Sequence, residues 1–208
     1  MLELGYPRDD RLADAVAGGE RIGVAVATAK SALGLSPERR VPAYVPTWRA
    51  EGQPVNTINV HELAERLGDE WTVVVRGHTR SGGVSHGMDP RVCDATAHPD
   101  VNDVILAADL LVTDYSSVMF DAAVARAPML FYVPDFDTYR ERERGFTFDF
   151  AALAPGPCVT TGDEVVQAAH AGVSLGERYD AWCRTFVPHD EGHAARRVVD
   201  ALVERGAL

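Results

Sequence analysis

Short apolar runs rich in β-branched residues recur along this chain, separated by stretches whose apolar residues repeat at helical spacing. Val41-Pro42-Ala43-Tyr44-Val45, Trp71 to Val75, Leu110 to Thr113 and Met129 to Val133 read as buried strands, and Arg91 to Ala95 as a further short one. Between them, Val60 to Leu67 places Val60, Leu63, Ala64 and Leu67 on one helical face and is closed by Gly68, and Val101 to Ala108 and Ser116 to Ala125 read as helices. Ahead of the first strand, Asp14 to Gly34 reads as one helix. Strands alternating with helices of this length require crossover connections, conventionally right-handed, and a parallel sheet covered on both faces. The expected fold is α/β, a doubly wound parallel sheet in a Rossmann-like domain. From Asp163 onward the pattern is helical only, with helices expected at Asp163 to Ala171, Gly176 to Phe186 and Gly192 to Glu204. The expectation is one domain over residues 1–208, with 162–208 as a helical C-terminal wrap.

In sheets of this kind ligands bind beyond the carboxyl ends of the strands. Three segments fall there: Pro46 to Arg49, Arg76 to Thr79, and Asp114-Tyr115-Ser116-Ser117. The last is the most informative. Two hydroxyls arrive at an expected helix start, where unpaired backbone N–H groups favour an anion, and Ser117 and Asp121 share a face by their i,i+4 spacing. A diphosphate at Ser116 and Ser117 would bring an attached ribose to Asp121, so the segment suits a nucleotide. Asp114 and the serines also suit a plain N-cap, but a cap alone does not require Asp121 on the same face. His78, beside Arg76, is placed for proton transfer or phosphate contact, since imidazole titrates near neutral pH and arginine offers forked donors. Thr47 and Arg49 complete the candidate ligand contacts.

Composition narrows the options. A formal net charge of −11 argues against nucleic acid as the main partner, which would call for clustered Lys and Arg. Arg8, Arg49, Arg76, Arg80 and Arg91 nevertheless lie in or near loops, where a small phosphorylated ligand could be gripped. The chain contains no apolar run of about 18 residues, and MLELGYPRDD lacks the order of a secretory signal; a cytoplasmic protein is expected. Cys93, Cys158 and Cys183 suit reduced core residues, and no metal site is expected because His86, His98 and Cys93 match no usual ligand spacing. Gly-x-Gly-x-x-Gly, the Walker lysine loop and the Gly-x-Ser-x-Gly elbow are all absent, which disfavours common dinucleotide, ATP and hydrolase chemistries.

Gly5-Tyr6-Pro7-Arg8-Asp9, Tyr44 to Arg49, Arg76-Gly77-His78, Thr113 to Asp121, Phe131 to Asp135 and Arg144-Gly145-Phe146 occur in an order that resembles the CDP-glycerol glycerophosphotransferases, the teichoic acid primases and polymerases. The likeness runs from Gly5 to about Asp200. It implies the C-terminal, nucleotide-binding half of a GT-B-type transferase, with the N-terminal acceptor half absent or supplied by a partner chain. It implies a CDP-linked donor, CDP-glycerol or a related CDP-alditol, no cofactor, and a lipid-linked polymer as acceptor, with a peripheral place at the inner face of the cell membrane. By position, His78 matches a histidine tied to catalysis with Arg76 beside it. Ser116 and Ser117 match diphosphate-binding serines, Asp121 would hold ribose hydroxyls, and Thr47, Arg49 and Asp114 line the same cleft. Two departures stand out: Asp9 replaces an Asn, and Thr79-Arg80-Ser81-Gly82-Gly83 replaces a run that commonly continues with an apolar residue or proline. A nucleotide-sugar glycosyltransferase or epimerase of the same fold, and a non-enzymatic nucleotide-binding domain needing a partner half, are the alternatives.

Overall fold

The apolar runs become strands because each alternates its side chains between two separate cores. The computed structural model describes residues 2–17, 20–47, 58–77, 89–142 and 145–207. After a 3-10 turn at Pro7–Asp9 come α1 (Asp10–Asp14), a two-stranded hairpin of β1 (Val16–Ala17) and β2 (Glu20–Arg21), and α2 (Gly23–Ala32). The sheet is then laid down by β3 (Pro42–Val45), α3 (Val60–Leu67), β4 (Val73–Val75), β5 (Val92–Asp94), α4 (Val101–Ala107), β6 (Leu110–Thr113), α5 (Val118–Val124) and β7 (Met129–Tyr132). Two short helices, α6 (Phe136–Arg142) and α7 (Phe150–Leu153), precede the edge strand β8 (Cys158–Val159), and α8 (Gly162–Ala171), α9 (Glu177–Phe186) and α10 (Ala194–Glu204) complete the chain.

The six-stranded sheet has the order β5-β4-β3-β6-β7-β8, and all its pairings are parallel. Counted along the chain this is the 3-2-1-4-5-6 order of a doubly wound sheet, whose order reverses between β3 and β6. On one face Ala43, Val45, Val74, Leu111, Met129 and Phe131 join the core under α4, α5 and α9; on the other, Tyr44, Val73, Val75, Leu110, Val112 and Leu130 join Leu63, Leu67 and Val165 of α3 and α8. The period-two alternation along each strand therefore serves two buried faces, as the doubly wound expectation requires.

Helix starts follow capping chemistry. The Asn59 side chain accepts from the N–H groups of His61 and Glu62, Asp100 caps α4 through Asn102 N–H, and Thr161 and Glu164 form a capping box on α8. The expected helix over Asp14 to Gly34 is corrected: Asp14 ends α1, Gly23–Ala32 form α2, and between them the chain forms the β1–β2 hairpin. The sequence carries Gly18-Gly19 there, which a helix disfavours, and Arg21 gains from the alternative by donating to the carbonyl groups of Leu106 (3.1 Å) and Ala108 (2.7 Å) at the end of α4. Helices α6 and α7 and strand β8 were not expected from periodicity. Cys158 is also exposed on β8 rather than in a core.

The C-terminal helices pack on the rest of the domain, α8 against α3 and α9 against α5. Tyr179 of α9 is buried and its hydroxyl donates to the carbonyls of Ala122 (3.3 Å) and Ala127 (2.8 Å), binding the wrap to the end of α5. At the β7–β8 edge the chain passes so close that a Cβ on Gly156 would stand 1.9 Å from Met129 O. Gly156→Ala should therefore push the edge strand away and lower stability by roughly 1–3 kcal/mol, read as a shifted urea midpoint.

Candidate functional site

Strands β3 and β6 end side by side at the reversal of the sheet order, and their outgoing residues are tied together. Thr47 N–H donates to Asp114 (2.9 Å to Oδ1, 3.1 Å to Oδ2), its hydroxyl donates to Asp114 Oδ1 at 2.5 Å, and Tyr115 N–H donates to the same oxygen at 2.6 Å. Asp114 is buried, so these charge-assisted bonds act as a fastener between the strand ends. Thr47 and Asp114, both expected to meet a ligand, are engaged with one another. Behind them Tyr115 stacks on Tyr139 (4.1 Å between ring centres) and its hydroxyl donates to Asp135 at 3.1 Å, which fixes the turn into α5 from the rear.

Beside the fastener lies a cleft of about 180 Å³ lined by Val45, Pro46, Arg76, Gly77, Val101, Ser116, Ser117, Val118 and Asp121. Ser116, Ser117, Asp121 and Arg76, chosen from the sequence, thus converge on one hollow. Ser117 is exposed at the start of α5 and makes no side-chain capping bond, while Ser116 Oγ accepts from Val118 N–H at 3.3 Å. Arg76 reaches the cleft but is anchored: its Nη1 donates to the carbonyls of Ala95 (3.0 Å) and His98 (2.6 Å), and Gly77 N–H donates to Thr96 Oγ1 (3.0 Å). His98 is itself held, Nε2 to Asp103 Oδ2 at 2.7 Å, and Arg11 pairs with the other Asp103 oxygen. Although burial opposes it, these two partners keep the Asp103 carboxyl below its ordinary range.

His78 and Arg49 lie outside the described residues. Arg91 is placed elsewhere, paired with Asp89 at 3.0 Å near the start of β5. Among the described residues no group of three or more His, Cys, Asp or Glu side chains could hold a metal ion. A larger hollow of 470 Å³ separates Leu2 to Tyr6 from Thr185 to Asp190, but it contains none of the residues at the strand ends.

Asp121 has neighbours that the sequence pattern did not bring to it. Arg8 Nη2 donates to Asp121 Oδ1 at 2.7 Å, and Asp9, 2% exposed, lies against the same carboxylate. Burial first, and the Asp121 charge second, push the Asp9 carboxyl up to about 7; burial also raises Asp121, opposed by Arg8. The sequence signal that could have pointed here is the acid at position 9 where the resembled motif carries an amide.

Residues 1–204 match the family described as CDP-Glycerol:Poly(glycerophosphate) glycerophosphotransferase. The chain is 35% identical over 222 residues to the teichoic acid poly(glycerol phosphate) polymerase of Bacillus subtilis (strain 168), covering 97% of this chain and 28% of that protein. It is 31% identical over 214 residues to the teichoic acid glycerol-phosphate transferase of Staphylococcus aureus (strain NCTC 8325 / PS 47), covering 97% and 54%. A solved structure of the wall teichoic acid polymerase TagF superposes with a TM-score of 0.80 at 27% identity, over 98% of this chain and 52% of that one. The chain therefore spans between about a quarter and about half the length of these relatives. The match covers both the sheet that carries the cleft and the helical wrap behind it, and the chain belongs to the CDP-glycerol:poly(glycerophosphate) glycerophosphotransferase family.

Proposed function

We propose that this domain binds a CDP-linked donor at the β3–β6 reversal and presents it for transfer of glycerol phosphate to a lipid-linked teichoic acid-type polymer, with release of CMP. The observation that carries the reading is the convergence of Ser116, Ser117, Asp121 and Gly77 on one cleft at the sheet reversal, in a chain of this family. At about 180 Å³ the described part of the cleft is smaller than a typical ligand site of about 300 Å³ or more, and suits the diphosphate and ribose portion of a nucleotide. In the reaction an acceptor hydroxyl oxygen attacks the phosphorus next to glycerol. The bond from that phosphorus to the bridging oxygen breaks, its electron pair leaves with CMP, and a base takes the hydroxyl proton; His78 is the residue we assign to that base. Such transfers rest on positioning and on stabilising the diphosphate charge, so a donor site separated from its acceptor site binds without efficient turnover.

Acceptor contacts, on this reading, come from polypeptide outside the matched region or from a partner chain, and the work is done peripherally at the inner face of the membrane. No helix among the described residues is long and apolar enough to cross a membrane. A second reading is a nucleotide-binding domain with no turnover of its own that works with a partner half. Supplying an acceptor half in trans separates the two by restoring, or not restoring, CMP release.

Calorimetric titration with CDP-glycerol tests the binding site. Ser117→Ala and Asp121→Ala should each weaken binding about tenfold, in line with loss of one hydrogen bond to a charged group. CDP-ribitol and UDP-sugars, run as competitors, define the donor. Unchanged affinity in both variants would remove the cleft from consideration.

A further inference from the structure

The segment ahead of α1 does more than close the fold. Arg8, on the 3-10 turn, is tethered from behind by Asn102 Nδ2, which donates to Arg8 O at 2.9 Å, and from the front by Asp121 at 2.7 Å. The next residue, Asp9, is turned inward and its side chain hydrogen-bonds Asp121. Its Oδ1 is buried with no hydrogen-bond partner among the described residues, 3.6 Å from Arg8 Nε. Two acids cannot hydrogen-bond one another unless a proton lies between them, and a buried carboxylate oxygen lacking a donor is strongly disfavoured.

We propose that Asp9 is a positioning residue for donor binding: it shares one proton with Asp121 and so fixes the orientation in which that carboxylate meets Arg8 and the cleft. The inference rests on the proposed donor site and deepens it. With one proton between the acids, Arg8, Asp9 and Asp121 sum to neutrality next to the cleft. Without it the cluster carries a net negative charge beside the place intended for a diphosphate, and the two carboxylates repel. The charged groups facing Asp9 are Arg8 on its own turn, Asp121 on α5, and Asp190 from the loop before α10, whose Oδ1 accepts from Tyr6 N–H at 2.6 Å. Asp121 and Asp190 both favour retention of the proton, and burial does so most; the Asp9 carboxyl is raised to about 7 from an ordinary 3.8. An asparagine at position 9 would supply the same donor to Asp121 without a titration, and position 9 is where this chain departs from the pattern it resembles.

The test is calorimetry with CDP-glycerol from about pH 6 to about pH 9, where the donor's diphosphate diester does not titrate, on the full chain, Asp9→Asn and Asp9→Leu. In the unsubstituted chain the dissociation constant should rise up to about tenfold per pH unit above about 7, a slope absent from Asp9→Asn. Asp9→Leu, which has nothing to donate, should bind weakly at every pH. Equal slopes in the unsubstituted chain and Asp9→Asn would overturn the role of Asp9 while leaving the donor site standing. Absence of CDP-glycerol binding to either at any pH would overturn the donor site and the role of Asp9 with it. A second readout needs no ligand. The unfolded chain releases this proton near 3.8 and the folded chain near 7, so between those values the folded state holds the extra proton and stability falls as pH rises. The urea midpoint of the unsubstituted chain should drop relative to Asp9→Asn across that window and run parallel above it. Parallel midpoints throughout would refute the shared proton.

Discussion

Replacing Trp182 by alanine should cost about 3–5 kcal/mol and detach the helical wrap from the sheet domain. The indole is 2% exposed and stacks on Phe120 of α5 at 5.4 Å with an interplanar angle of 11°, while Phe186 at 4.1 Å and Phe148 at 5.6 Å close around it. Truncation would empty the centre of this group, and neighbours drawn from α5, α9 and the loop before α7 have little freedom to collapse into the space. A control separates packing from polarity. Trp182 Nε1 is buried with no hydrogen-bond partner among the described residues, so Trp182→Phe removes an unsatisfied donor along with part of the volume. We expect Trp182→Phe to retain well over half of the stability that the alanine variant loses. A urea midpoint for Trp182→Ala within error of the unsubstituted chain would mean that the Trp182 aromatic group contributes nothing to holding α9 on the domain.

Asp114→Ala should lower stability by roughly 2–4 kcal/mol and weaken CDP-glycerol binding more than tenfold. The variant leaves the N–H groups of Thr47 and Tyr115 and the hydroxyl of Thr47 without the carboxylate to which they donate, at the junction where β3 and β6 diverge. The Tyr115 turn leads straight into Ser116 and Ser117, so the cleft wall moves when the fastener is lost. Asp114→Asn keeps one acceptor oxygen and the side-chain shape, and should lie between the two. Binding lost with stability unchanged would instead place Asp114 in direct contact with the donor.

The sheet was legible because its strands and helices repeat with distinct periods, and α3 and β6 begin and end at the residues where the pattern changes. Ser116, Ser117, Arg76 and Asp121 were legible as a group because parallel sheets place ligands at strand ends, which turns a position in sequence into a position in space. The rest fails for physical reasons. Strand β8 has two residues at a sheet edge and is too short for any period to register. The hairpin ahead of α2 competes with helical propensity and wins through Arg21, whose carbonyl partners lie 85 and 87 residues away. The pairing of Arg8 with Asp121 spans 113 residues, and no local rule connects them. Thr47 and Asp114 were both expected at one cleft, but their engagement with each other depends on the register of β3 against β6.

Arg76 bears on how the proposed donor cleft would receive a ligand. A guanidinium that spends one nitrogen on two main-chain carbonyls behaves as a strut between the tip of β4 and the turn before α4. That side of the hollow is thus rigid before anything arrives, and the ordering entropy that a loose loop would surrender on association has already been met during folding.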